Sequence, residues 1–169
     1  MVAGWSAWRM TIALLLGVAS SSYPCTRTTP VSVVEMLAQA DAIVRAKAVA
    51  VADDAKSADP VEHSGGVRFD VLEVLKGDRQ LSTLALPGRF GDRDAFNDHA
   101  APYRSVRPSG RTGSCNSDEY RLRAEYLLVM QRTPDSIGWT TKWYALGPVN
   151  EQLTGPDDEW LRWVRANAK

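Results

Sequence analysis

The pattern of apolar and polar positions predicts five β-strands. In the first strand, Val44 and the alanines at every second position after it point one way, while Arg45 and Lys47 point the other way. This period of two is typical of a strand with one buried face. The five predicted strands cover residues 43–51, 67–76, 80–86, 126–131 and 139–146.

The second predicted strand changes phase along its length. Val67, Phe69 and Val71 lie on one face, but the apolar positions then shift to Leu72 and Val74. One extra residue in a strand, a β-bulge, moves the side chains that follow to the opposite face. We therefore expect a bulge or a sharp bend at this phase change, of the kind that barrels and strongly coiled sheets contain.

Apolar side chains at helical spacing predict one helix before the strands and one after them. The first is short and lies within residues 31–40. The second is predicted to open around Pro156, because proline suits the first turn and the acidic residues after it suit the positive end of the helix dipole. The predicted apolar stripe of the second helix consists of Trp160, Leu161, Trp163 and Val164.

The segment of residues 87–114 shows neither period and is rich in Gly, Pro, Arg and Asp. We expect a long loop, and loops of this length in compact domains are commonly functional. Its polar side chains form a candidate interaction loop. These residues are Asp92, Asp94, Asn97, Asp98, Tyr103, Arg104, Arg107 and Arg111.

Three interpretations of this candidate loop stay open. Its acidic and basic side chains either pair with one another and hold a structural loop, or they recognise a partner. In the third interpretation, Asp92, Asp94, Asn97 and Asp98 supply oxygen ligands to a calcium ion. The spacing of these four residues matches no EF-hand loop, and Arg93 lies among them.

The charge balance argues against a nucleic-acid partner. The chain of 169 residues has 20 basic and 20 acidic side chains, so no net field attracts it to a polyanion. The length and the hydrophobic fraction of 44% predict one globular domain with a core of its own.

The N-terminus has the pattern of a secretory signal peptide. A single basic residue precedes the uncharged apolar run Met10–Ala19, and small residues follow it. A run of this length is too short to span a bilayer, which needs about 20 residues. We predict a signal peptide over residues 1–20, cleaved after Ala19 or Ser20. The mature domain, residues 21–169, is then secreted or periplasmic and has no stable membrane span.

Both cysteines, Cys25 and Cys115, lie in the predicted mature part. An exported chain folds in an oxidising compartment, where two thiols usually form a disulfide. We predict one bridge, which would stabilise the fold by roughly 4 kcal/mol because the loop it closes is long. The alternative, a thiol nucleophile or a metal-binding pair, lacks a neighbouring histidine and a C-x-x-C spacing.

The order of these elements resembles the netrin-like, or TIMP-like, domains, specifically the secreted bacterial proteins of that type. The resemblance spans most of the mature chain and implies a mainly β fold. That fold is a five-stranded OB-type barrel, with a short N-terminal helix and a C-terminal helix packed against it. The matching residues are Cys25, Ser32–Glu35, Leu37–Asp41, Val67–Gly77, Gly113–Cys115 and Glu125–Leu128.

Family members that inhibit metalloproteases chelate the catalytic zinc with the amine and the carbonyl of an N-terminal cysteine. Here Pro24 precedes Cys25, which disfavours cleavage directly before that cysteine, and no C-x-C start is present. The resemblance therefore implies the fold and a disulfide role for Cys25 and Cys115, while inhibition of a metalloprotease is kept as an alternative function.

The sequence offers no recognisable catalytic set. Only His63 and His99 could act as imidazole bases, and the chain has no G-x-S-x-G elbow and no H-E-x-x-H zinc site. We predict a monomeric, exported binding module that contacts an unknown protein partner through its loops, without catalytic residues, cofactor or metal. Two further functions stay open: a secreted hydrolase with a site near residues 90–115, and a structural component of the cell envelope.

Overall fold

A computed structural model describes residues 32–52, 65–96, 100–102, 119–132, 139–141 and 151–168. Within these ranges the protein is mainly β. The helices are α1, Val33–Gln39, and α2, Glu159–Asn167. The strands are β1, Ala42–Ala52; β2, Gly66–Lys76; β3, Thr83–Pro87; β4, Arg89–Gly91; β5, Glu119–Arg121; β6, Glu125–Arg132; β7, Trp139–Thr141; and β8, Glu151–Gln152.

One antiparallel sheet organises the molecule, with the strand order β3-β2-β1-β6-β7. Strand β1 lies at its centre, because it pairs with β2 on one side and with β6 on the other. The free edge of β6 is shared, since β7 pairs with residues 130–132 and β8 pairs with residues 126–127. Strands β4 and β5 form a separate parallel pair.

The mainly β class is confirmed, but a closed barrel is not seen in the part of the chain that the structure describes. The edge strands β3 and β7 approach each other, which shows that the sheet is strongly curled. Across the described residues, no hydrogen-bonded ladder joins these two strands. The structure thus shows a curled antiparallel sheet of five strands, with β8 added beside β6.

The predicted phase change in β2 is confirmed as a bulge. Arg45 of β1 lies opposite Glu73, and Ala46 lies opposite Val71, so Leu72 is the extra residue. The pairing of β1 with β2 has two further register shifts, one between Ile43 and Val44 and one between Ala48 and Ala50. Because each bulge increases the local twist, these irregularities account for the curl of the sheet.

The two faces of the sheet pack into two separate cores. Along β1, Ile43 faces the helices, whereas Val44, Ala46 and Ala48 face the opposite side. The helix-side core contains Met36, Leu37, Ala40, Ile43, Leu127, Val129, Leu153, Trp160, Leu161 and Val164. The second core contains Ala42, Val44, Ala46, Ala48, Val67, Phe69, Leu84, Leu86, Tyr120, Tyr126, Leu128 and Met130.

Three aromatic rings fill the second core. The ring of Tyr120 meets those of Phe69 and Tyr126 edge to face, with centroids 4.9 and 5.2 Å apart. The buried Tyr126 hydroxyl accepts a hydrogen bond of 2.6 Å from the backbone N–H of Arg121. Small alanine side chains on β1 leave the room that these rings need.

Helix α1 is held against the sheet at its C-terminal end by Lys76. The ammonium group donates hydrogen bonds of 2.9 and 2.7 Å to the carbonyl oxygens of Leu37 and Ala38. The last carbonyls of a helix lack the usual i+4 partners, and here Leu37 receives only a 3.3 Å hydrogen bond from the N–H of Ala40 besides that of Lys76. A cation is also favourable at this end of the helix dipole. The next residue, Gly77, has a φ of 102°, and a Cβ there would lie 2.9 Å from the carbonyl oxygen of Asp41.

Helix α2 begins later than the sequence pattern predicts. Its N-cap is Asp158, whose carboxylate accepts hydrogen bonds from the N–H groups of Trp160 and Leu161 and from Thr154. The buried carboxylate satisfies the free N–H groups at the helix start, so Asp158 rather than Pro156 fixes the boundary. The predicted apolar stripe is confirmed, with Trp163 stacked on Trp160.

Other boundaries also differ from the prediction. Strand β3 begins at Thr83 because the Asp78 side chain accepts from the N–H of Gln80 and closes a turn over the residues expected to start the strand. The sequence predicts a loop throughout the segment 87–114, but residues 89–91 form β4. Strand β7 is described to Thr141, and residues 142–146 of that predicted strand lie outside the described residues.

Of the helices that the structure describes, neither is long and apolar enough to cross a membrane. The predicted signal peptide, residues 1–20, lies outside the described ranges.

Candidate functional site

The parallel pair of β4 and β5 fixes the start of the predicted interaction loop. Arg89 in β4 donates to the carboxylate of Glu119 in β5 at 3.1 Å. Gly91 packs so closely on the Glu119 side chain that an added Cβ would overlap its carboxylate. Residues 89–91 are therefore seated on β5 rather than projecting into solvent.

Gln152 in β8 anchors the next part of the same segment. Its side-chain oxygen accepts a 2.8 Å hydrogen bond from the N–H of Ala95, and its side-chain nitrogen donates to Asp94 at 2.7 Å. Phe96 forms an isolated parallel bridge with Gln152. Gln152 is buried and Ala95 is half-buried, whereas Asp94 is exposed. These hydrogen bonds tie residues 94–96 to the sheet.

Arg121 in β5 provides a further anchor. Its Nε lies 3.7 Å from the Asp94 carboxylate, and its Nη1 donates to the carbonyl oxygen of Asp92. Asp94, one of the acidic residues predicted to contact a partner, is therefore engaged within the protein. For Asp92, the side chain is 92% exposed, with Arg93 at 4.0 Å.

The turn between β5 and β6, residues 122–124, docks on the central strand. The N–H of Arg123 donates to the carbonyl oxygen of Ala48 at 2.8 Å, and the N–H of Ala48 donates to Ala124 at 3.0 Å. Arg123 has a φ of 67°, a left-handed conformation that most residues other than glycine avoid. Beside the turn, Arg45 holds the Glu125 carboxylate with hydrogen bonds of 2.8 and 2.6 Å.

These anchored segments surround an open cleft of about 380 Å³, which we call the β5–β6 cleft. Two large apolar side chains on its lining are exposed to solvent, Phe96 by 42% and Leu122 by 48%. Its described lining consists of Asp94, Phe96, Arg121, Leu122, Arg123, Ala124, Glu125, Gln152, Leu153, Thr154 and Gly155.

The charges along the β5–β6 cleft do not cancel locally. Asp94 faces Arg121, and Glu125 is neutralised by Arg45, which lies outside the cleft lining. Among the described residues, no carboxylate pairs with the exposed guanidinium of Arg123. Among its described lining residues, the cleft therefore presents one uncompensated positive charge next to its exposed apolar side chains.

The described lining residues carry one hydroxyl, one side-chain amide, two carboxylates and two guanidinium groups. Thr154 carries the hydroxyl of this set, and its Oγ1 donates to Asp158 at 2.9 Å. No group of three or more His, Cys, Asp or Glu that could hold a metal ion occurs among the residues that the structure describes. The lining can offer apolar surface, backbone polar groups and the Arg123 cation to a ligand.

The structure covers only part of the predicted site. Asp92 and Asp94 are described, and Asp94 belongs to the β5–β6 cleft. The two predicted disulfide residues and the remaining residues of the candidate interaction loop lie outside the described ranges. They are Cys25, Cys115, Asn97, Asp98, Tyr103, Arg104, Arg107 and Arg111, and the possible imidazole bases His63 and His99 lie outside these ranges too.

Sequence reasoning missed the β5–β6 turn as part of a site. Its signal is weak but present, because Leu122 stands between two arginines immediately before a buried strand. A turn between two strands does not face the core, so an apolar side chain between two arginines in such a turn is expected to be exposed to solvent. Gln152 carried no signal at all, because its role depends on a backbone N–H more than fifty residues away.

Comparison with protein-family models and with curated protein sequences finds no match to this chain.

Proposed function

We propose that the protein is an exported binding module that contacts a protein partner through the β5–β6 cleft. The observation that carries this proposal is the exposure of Phe96 and Leu122 on the lining of one cleft. Single exposed apolar side chains are common and need no explanation, but two at one concave site provide the apolar centre that a protein contact requires.

The anchoring of the cleft walls supports the same proposal. The β4–β5 pair, the Gln152 hydrogen bonds and the docking of the β5–β6 turn on Ala48 each fix one wall. A surface that is already ordered loses little conformational entropy when it binds. The β5–β6 turn and the start of the loop are held on an ordered sheet. Binding residues are commonly carried by loops that an ordered scaffold positions in this way.

For the fold in finer detail, we propose a netrin-like, OB-type barrel. Three observations support it: the curled five-stranded sheet, the helices packed on one of its faces, and the contact between the matching segments around Lys76 and Leu37. The position of Cys25 within such a fold, and its bridge to Cys115, belong to the same proposal.

A peptide-display selection tests the binding proposal directly. A random nine-residue library is selected on the wild-type mature protein, and the enriched clones are then tested on the double variant Phe96→Ser/Leu122→Ser. We expect clones that bind the wild type and lose at least about tenfold in affinity on the double variant, since burying each side chain contributes about 1.5–3 kcal/mol.

A second double variant, Val34→Ser/Leu72→Ser, is the matched control. These side chains are exposed to a similar degree, by 60% and 47%, and neither lines the β5–β6 cleft. Clones should bind this control as they bind the wild type. The proposal is wrong if no clone is enriched, or if the enriched clones bind both double variants equally well.

A further inference from the structure

We infer that the β5–β6 cleft recognises an acidic peptide segment, in which an apolar side chain lies against Phe96 and Leu122 and a nearby carboxylate pairs with Arg123. This inference rests on the proposed binding function and names the chemistry of the partner. Its basis is the unequal pairing of the charges that line the cleft.

Arg123 is the one cation of the described lining that remains available. Arg121 is committed to Asp94 and to the backbone of Asp92, while Arg123 has no side-chain partner within the described ranges. A planar guanidinium offers two parallel N–H donors to a carboxylate, which gives the pair both strength and direction. A partner that carried a cation at this position would instead meet uncompensated positive charge.

The backbone of Arg123 points to a role outside the fold. Its φ of 67° suits glycine or asparagine better than arginine, and the hydrogen bonds of the turn come from backbone N–H and carbonyl groups, which any residue supplies. The hydrogen bonds by which this turn docks on β1 therefore do not require the arginine side chain. Unfavourable conformations of this kind are typical of positions that bind a ligand.

The neighbouring apolar surface defines the second half of the ligand. Leu122 directly precedes Arg123, and Phe96 lines the same cleft. If one apolar side chain of a peptide lies on these two residues, only the peptide residues next to it in sequence can contact the Arg123 guanidinium. We therefore expect Asp or Glu close in sequence to a Leu, Phe or similar residue of the partner.

A focused display library tests this inference. Each nine-residue peptide has a fixed central Leu or Phe and four randomised positions on either side. Selection on the wild type should enrich Asp and Glu near the central residue, and Arg123→Glu should enrich Lys and Arg instead. Peptides selected on the wild type should bind Arg123→Glu about tenfold more weakly, because attraction becomes repulsion. The exposed Arg79→Glu, outside the cleft lining, should select the same peptides as the wild type.

Arg123→Gly separates recognition from a structural role. It should raise the melting temperature of the protein, because glycine relieves the left-handed φ, and yet weaken the binding of the acidic peptides. A lowered melting temperature with unchanged peptide binding would overturn the inference.

The failure of the inference can be told from failure of the proposed function. If the selected peptides depend on Phe96 and Leu122 but show no preference for acidic residues, the inference is wrong and the binding module stands. If peptide binding is independent of both side chains, both proposals fail. A second copy of the chain as the occupant would appear as a dimer that Phe96→Ser/Leu122→Ser converts to a monomer, and this result would also overturn the inference.

Discussion

The Glu73 carboxylate in β2 and the Arg165 guanidinium in α2 form a two-point ion pair, with N–O distances of 2.9 and 2.6 Å. The hydrogen bonds from Arg165 outweigh the effect of burial and lower the pKa of Glu73, and the same pair raises the pKa of Arg165. Because Arg165 lies in the last turn of α2, this pair fastens the end of the C-terminal helix to the bulged half of β2.

We expect the pair to contribute about 0.5–1 kcal/mol to the free energy of unfolding, since both side chains are about one-third exposed and water screens them. A double-mutant cycle of Glu73→Gln and Arg165→Gln, measured by urea unfolding at neutral pH, gives the coupling energy directly. A coupling energy of zero would show that the pair forms without stabilising the helix.

The lowered pKa of Glu73 predicts the direction of the pH dependence. As the pH falls, the unfolded state binds the proton first, so the contribution of this carboxylate is fully present above its ordinary pKa of 4.5 and is lost through the lower folded pKa. Between about pH 6 and about pH 3, the wild type should lose more stability than Glu73→Gln. Equal losses for both proteins would contradict the prediction.

Lys76→Met should destabilise the protein by about 1–2 kcal/mol, because the carbonyl oxygens of Leu37 and Ala38 lose a charged donor. The aliphatic stem is retained, so the change isolates the ammonium group. Lys47→Met on the neighbouring β1 removes a charge without removing a helix cap and should change the stability by less than about 0.5 kcal/mol. Urea unfolding of the two variants checks the difference.

Gly77→Ala and Gly65→Ala form a second matched pair. At Gly77 an added methyl group meets the carbonyl oxygen of Asp41 in a left-handed backbone conformation, whereas at Gly65 the nearest atom is an ordinary 3.6 Å away. We expect Gly77→Ala to cost about 1–3 kcal/mol and Gly65→Ala to be nearly neutral. Thermal unfolding of both variants decides, and similar melting temperatures would contradict the role assigned to Gly77.

Gln152→Met should release the start of the loop. The N–H of Ala95 loses its acceptor and the Asp94 carboxylate loses a donor. Because Ala95 is half-buried and Asp94 is exposed, we expect a loss of about 0.5–1.5 kcal/mol. Amide hydrogen exchange should accelerate over residues 92–96 in this variant and remain slow in β1. Unchanged exchange at Ala95 would show that another group holds the segment.

The strands with a long, clear period could be predicted from the sequence, whereas the short ones could not. Strands β1, β2 and β6 carry enough alternating or continuous apolar residues to reveal themselves, and even the bulge at Leu72 leaves a visible change of phase. Strands β4, β5 and β8 have only two or three residues each. Their structure comes from neighbours distant in the sequence, so no local pattern encodes it.

The same limit applies to the site. Loop composition directed attention to residues 92–94, but the roles of Asp94 and Arg121 depend on a strand pairing that joins segments about thirty residues apart. Exposure at Phe96 and Leu122 is likewise a property of the packed molecule. The helix boundary at Asp158 could have been found, because an acidic N-cap residue stands two positions before the first residue of the apolar stripe, Trp160.

The central position of β1 has a consequence for the order of folding. Its partner on one side, β2, follows within the next 24 residues, but its partner on the other side, β6, begins only at Glu125. During synthesis, β1, β2 and β3 can pair into a meander before β6 is made. The edge of β1 that later pairs with β6 stays unpaired until then. This unpaired edge of β1 is apolar and exposes backbone N–H and carbonyl groups. We therefore expect the nascent chain to be most prone to aggregate before β6 is made.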